Sequence, residues 1–117
     1  MGCLTTHVLD TTSGCPGENI HIKLFRLSGE SRELLLEATT NADGRLDGPF
    51  LEGDAFTVGD YMLEFVVGDY FRGRGTALPD PAFLDIVPIR FAVADAGAHY
   101  HVPLLVSPFG YSTYRGS

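Results

Sequence analysis

The stretch from Thr57 to Val67 alternates with a period of two. Tyr61, Leu63, Phe65 and Val67 fall on one face, and Asp60, Met62, Glu64 and Val66 on the other. Helical side chains repeat every 3.6 residues, so this pattern gathers its large apolar groups on one side only if the chain is extended. Other stretches repeat it. Leu4 to Leu9 sets Leu4, Thr6 and Val8 against Thr5, His7 and Leu9, and Asn19 to Leu27 points Ile20, Ile22 and Leu24 inward with His21 and Lys23 outward. Glu33 to Thr40 and Ile86 to Ala94 read as further strands, the latter with Ile89, Phe91 and Val93 on one face. Pro88 has no N–H to give to a neighbour, so its strand must lie at an edge or begin there. Turn-forming clusters at 10–17, 28–31, 41–44, 78–81 and 94–98 separate these segments. Gly68 to Thr76 is the one stretch with helical character, and its glycines keep it short. Seven or eight short strands, almost no helix and no internal repeat predict an all-β sandwich.

The chain has 117 residues, so a single domain over 1–117 is expected, with enough length to bury a core without staples. The formal charge of −7 opposes non-specific nucleic-acid binding. No apolar run reaches the roughly 18 residues that cross a membrane, and residues 1–9 lack the charged and apolar regions of a leader peptide. Cys3 and Cys15 make no disulfide framework, and free thiols in a reducing compartment such as the cytoplasm are expected.

The C-terminal stretch carries the chemistry. His99 to Val106 and Gly110 to Arg115 read as two strands joined by the Ser107-Pro108-Phe109-Gly110 turn. Tyr100, Val102, Leu104 and Val106 form the core face, which leaves His99, His101, Pro103 and Leu105 on the other. Chain ends are ordinarily frayed and polar. This one stays apolar and aromatic up to Tyr114-Arg115-Gly116-Ser117, so its last residues are expected to be held in structure.

Three stretches taken together point to one family. They are Leu4-Thr5-Thr6-His7-Val8-Leu9-Asp10, Thr40-Asn41-Ala42-Asp43-Gly44-Arg45, and His99 to Ser117 closing on Tyr114-Arg115-Gly116-Ser117. In order and length the chain resembles the transthyretin-related proteins, the 5-hydroxyisourate hydrolases of the urate pathway. The Tyr-Arg-Gly-Ser ending is specific to the enzyme branch. Transthyretin itself, a hormone carrier, lacks that ending and lacks histidines at the positions of His7 and His101.

The resemblance implies a transthyretin-like sandwich of two four-stranded sheets with one short helix. It implies a homotetramer, a dimer of dimers with its sites in the groove between dimers. It implies hydrolysis of 5-hydroxyisourate, a small-molecule substrate, to 2-oxo-4-hydroxy-4-carboxy-5-ureidoimidazoline. The catalytic residues it carries over are His7, Arg45 and His101. The substrate-binding residues are Tyr114, Arg115, Gly116 and Ser117. No cofactor or metal is expected, because the base and the oxyanion partner are already among these residues, and the charge and the lack of a long apolar run argue for neither a nucleic-acid nor a membrane partner.

These residue types suit the reaction. Water attacking a cyclic amide needs a base near neutral pH, and imidazole titrates there. The tetrahedral intermediate carries an oxyanion, for which the Arg45 guanidinium is a fixed partner. Which of His7 and His101 activates the water is open at this level. Taken singly, each residue has a plainer reading: a structural histidine, a solvated arginine, a core tyrosine. His99 and His101 share a face but have no cysteine or carboxylate near them in the chain, which makes a zinc site a poor reading. His21 and His99 are read as structural or exposed. The alternatives are a small-ligand carrier without catalysis and an accessory sandwich domain.

Overall fold

A computed structural model of the chain describes residues 2–116. The strands in chain order are β1 (Cys3–Asp10), β2 (Cys15–Pro16), β3 (His21–Ser28), β4 (Ser31–Thr39), β5 (Leu51–Glu52), β6 (Gly59–Val66), β7 (Ile86–Val93), β8 (His99–Ser107) and β9 (Gly110–Thr113). A 3₁₀ turn covers Gly53–Ala55, and helix α1 covers Val67–Gly73. The period-two stretches thus become the long strands, and the glycine-limited segment becomes the short helix.

The strands form two sheets. One has the order β2-β1-β8-β9 with β5 also paired to β1, and the other runs β4-β3-β6-β7. Every neighbouring pair is antiparallel except β1 and β8, which run parallel over eight residue pairs. The fifth strand of the first sheet exceeds the expected four because β5 is a two-residue pairing of Leu51–Glu52 onto Cys3 and Leu4. A two-residue strand has no alternation to announce it. β7 is an outer strand, the position Pro88 requires. In β4 the register passes from Leu36 opposite Leu24 to Leu34 opposite Phe25, skipping Leu35. This bulge explains why Leu34, Leu35 and Leu36 do not alternate simply.

The apolar faces of both sheets meet in one buried cluster. Leu4, Val8, Tyr100, Val102, Leu104 and Val106 come from the first sheet, and Ile22, Leu24, Tyr61, Leu63, Phe65, Val87, Ile89 and Val93 from the second. α1 caps this core with Tyr70 and Phe71. No helix is long and apolar enough to cross a membrane among the described residues. Cys3 and Cys15 are free thiols.

One carboxyl group lies inside among the described residues. Asp10, at the inward-facing end of β1, is fully buried. Its Oδ1 accepts from the backbone N–H groups of Thr12 and Ser13 at 2.9 and 3.2 Å, and its Oδ2 accepts from the Tyr70 hydroxyl at 2.7 Å. The Arg74 guanidinium stands 3.6 Å from the same oxygen. A buried carboxylate is tolerable when its lone pairs are used in this way. Desolvation, then the Asp10 hydrogen bond, pushes the Tyr70 phenol well above its usual range, so it stays a donor. Replacing Tyr70 by Phe leaves Oδ2 short of a partner. The expected cost is about 1–3 kcal/mol of unfolding free energy, read from the urea midpoint; an unchanged midpoint shows that the two amides suffice.

Candidate active site

The parallel register of β1 and β8 sets Cys3 opposite His99, Thr5 opposite His101 and His7 opposite Pro103. Leu4, Thr6 and Val8 are buried with Tyr100, Val102 and Leu104, so strand parity turns Thr5, His7, His99 and His101 to the other face. Imidazoles from the two ends of the chain thereby share one surface.

Arg45 reaches that surface through a tight turn. The Asn41 side-chain oxygen accepts from the N–H groups of Asp43 and Arg45 at 2.9 and 3.1 Å, and the Asn41 N–H donates to the Arg45 carbonyl at 2.7 Å. Gly44 sits at φ +74° and its carbonyl accepts from the Val8 N–H at 2.8 Å. A Cβ there would lie 2.4 Å from the Val8 carbonyl oxygen, so only glycine lets the turn dock on β1. The docking completes a one-pair antiparallel bridge between His7 and Arg45. The Arg45 side chain is exposed and makes no ion pair among the described residues.

A cleft of about 400 Å³ opens here. Arg45, Thr5, His99 and His101 line it, with Leu46, Gly48 and Pro49 along one wall. His101 is half-buried, and its Nδ1 lies 2.8 Å from the Thr5 hydroxyl oxygen. The same oxygen lies 2.7 Å from Nε2 of the exposed His99. Desolvation holds the His101 imidazolium below its ordinary titration range, and the Arg45 charge, together with that of His99 or His7 whenever either is protonated, acts in the same direction. His7 does not line the cleft but is close enough to bias it. A second cleft of similar volume, between α1 and the Glu18–Asn19 turn, has the Tyr70 and Arg74 partners of Asp10 on its wall and a single histidine, His21.

The C-terminal tail returns along β8. The Gly116 N–H donates to the His101 carbonyl at 2.8 Å, and a Cβ at Gly116 would fall 2.6 Å from the His101 ring carbon Cδ2. Glycine thus lets the tail lie against the imidazole. The Arg115 guanidinium stacks 3.9 Å over the Tyr100 ring and donates to the His99 carbonyl at 3.4 Å, which pins the tail. Tyr114, which has a core position as its plainer reading, is 59% exposed instead. Ala98, Tyr114, Arg115 and Gly116 border a neighbouring depression, and His99 stands between it and the main cleft. Ser117 lies outside the described residues.

His101 and Arg45 therefore converge on one cleft with His7 beside them, while Tyr114 and Arg115 sit across His99. Thr5 and His99 join the cleft without having been singled out from sequence. Their strand parity was legible, but nothing in the sequence makes β1 and β8 neighbours. Among the described residues no group of three or more His, Cys, Asp or Glu is placed to hold a metal.

The HIUase/Transthyretin family model matches residues 4–116. The 5-hydroxyisourate hydrolase of Ralstonia nicotianae is 61% identical over 117 residues, covering 100% of both chains. The crystal structure of an (S)-allantoin synthase superposes with a TM-score of 0.94 at 53% identity, covering 99% of this chain and 44% of that one. The Klebsiella pneumoniae 5-hydroxyisourate hydrolase structure gives 0.82 at 34% identity, covering 100% of both. With a match over nearly its whole length, the chain belongs to the HIUase/Transthyretin family.

Proposed function

We propose that this chain hydrolyses 5-hydroxyisourate to 2-oxo-4-hydroxy-4-carboxy-5-ureidoimidazoline in urate degradation, with residues 1–117 acting as one domain. The observation that carries the reading is the convergence of His101 and Arg45 on one cleft, in a chain so similar to 5-hydroxyisourate hydrolases.

His101 is the base. Its depressed titration favours the neutral ring, and with Nδ1 engaged by Thr5 its Nε2 is left to meet water. Nε2 takes a proton from water as the oxygen bonds to the carbonyl carbon of the cyclic amide. The C=O electron pair moves onto the carbonyl oxygen, and the Arg45 guanidinium, unpaired among the described residues, meets that charge. When the pair returns and the C–N bond breaks, the imidazolium gives its proton to the leaving nitrogen and His101 is neutral again. His7, bridged to Arg45 through the backbone, orients that turn, and Arg45 supplies a local positive charge. This local field matters because the whole chain carries −7 and repels an anionic substrate at long range.

The assembly belonging to this reading is a homotetramer, a dimer of dimers with its sites where the dimers meet. Support comes from the hairpin and tail, which expose Phe109, Tyr111 and Tyr114 at 63, 45 and 59%. In that groove Tyr114, Arg115 and Gly116 bind substrate and close the cleft.

Freshly generated 5-hydroxyisourate, followed by the decay of its ultraviolet absorbance, should disappear far faster with the protein than without it. A rate equal to the blank leaves a ligand carrier. Arg45→Ala should lower turnover by about 100-fold or more with an unchanged circular dichroism spectrum; normal turnover removes Arg45 from the mechanism. The acid limb of kcat/KM should lie below the ordinary histidine value of about 6.5, since the active form is the neutral ring and its proton is lost early. Removing the Arg45 charge should move that limb upward in pH. Gly116→Val should tilt the His101 ring and depress kcat in a folded protein, whereas full activity would show that the tail does not set the ring.

A further inference from the structure

The Thr5 hydroxyl stands between two imidazoles, 2.8 Å from His101 Nδ1 and 2.7 Å from His99 Nε2. Both separations are hydrogen bonds, yet the hydroxyl has only one proton to share between them. From this geometry we infer that Thr5 and His99 are positioning residues of the site. Thr5 fixes which nitrogen of the His101 ring carries its proton, and His99 is the acceptor that makes this arrangement available. The inference rests on His101 being the base.

If Thr5 donates to His101 Nδ1, the neutral ring must hold its own proton on Nε2. That is the nitrogen the reaction needs bare. If His101 donates from Nδ1 to the Thr5 oxygen, Nε2 is bare and ready. The choice is made by what the hydroxyl does with its proton. His99 Nε2 draws that proton away from His101 and leaves the oxygen free to accept. The partner on the other nitrogen sets the tautomer of a histidine. Here that partner is a neutral hydroxyl, which adds no charge to a ring already biased by the Arg45 guanidinium. Once Nε2 takes a proton, the Nδ1–H donor is already seated on oxygen, and the bond strengthens without any ring rotation.

Strand geometry makes the bridge specific to this pair of strands. His99 and His101 are two residues apart on one face of β8, with ring centroids 6.2 Å apart. Thr5 is on the adjoining strand opposite His101, so one short side chain reaches both rings. Serine keeps the hydroxyl; valine keeps the shape and removes it.

The test compares Thr5→Val, Thr5→Ser, His99→Phe and His99→Gln by steady-state kinetics, with imidazole ¹⁵N shifts of His101 recorded above its titration. Thr5→Val should lower kcat by at least about tenfold, hold KM within about twofold, and move the His101 proton toward Nε2. Thr5→Ser should restore both readouts. His99 is exposed, so His99→Phe removes the acceptor without threatening the fold and should behave like Thr5→Val; His99→Gln, which keeps an acceptor, should recover most of the rate. Thr5→Val with wild-type kcat, or a His101 proton on Nε2 in the unaltered protein, overturns the inference while leaving the hydrolase reading intact. Unchanged kcat in His101→Gln instead removes the base assignment on which it stands, whatever the ¹⁵N shifts report.

Discussion

The parallel pairing of β1 with β8 is the contact on which the rest depends. It joins the two ends of the chain across eight residue pairs in a fold whose other pairings are antiparallel. It sets Leu4, Val8, Tyr100, Val102, Leu104 and Val106 side by side on the face that packs against the second sheet. Thr6 adds a buried hydrogen bond from its hydroxyl to the Val102 carbonyl at 2.7 Å, which ties the register. Side chains alternate strictly along a strand, so the register that buries those residues also turns Thr5, His7, His99 and His101 outward together. A slip of one residue would bury the imidazoles and expose the core. Hydrophobic burial is thus the force that positions the chemistry.

β1 carries two polar environments of opposite character. At its end Asp10 is sealed in, and every contact it makes is used: two backbone amides, a phenol and a nearby guanidinium. Midway along, the Thr5 and His7 face meets an arginine without an ion pair among the described residues and a histidine whose charged form is disfavoured by desolvation and by the Arg45 charge. The first arrangement is satisfied and belongs to stability. The second leaves a guanidinium without an ion pair among the described residues, the kind of incompletion that reactive sites show.

Glycine controls how closely loops approach this face. Gly44 lets the 41–45 turn lie against β1 and deliver Arg45, and Gly116 lets the tail lie against the His101 ring. Both depend on the missing Cβ. The tail is held further by Arg115 stacked on Tyr100, a use of that arginine quite different from contact with an anion. Arg115 thereby sets where Tyr114 and Gly116 lie along β8.

Much was legible in the sequence. Period-two alternation gave the long strands and their inward faces because burying one side of a pleat demands it. Glycine content marked the short helix, Pro88 marked an edge strand, and three motifs carried the family likeness together with His7, Arg45 and His101. The two-residue strands β2 and β5 and the bulge at Leu35 were not legible, since they depend on partners rather than on local pattern. The roles open to Thr5 and His99 were hidden for the same reason. Residue order sets which side of a strand a group occupies. Which strand lies beside it is decided only when two sheets close over a common core, and a hydroxyl near the start of the chain comes within 3 Å of two imidazoles near its end only through that closure.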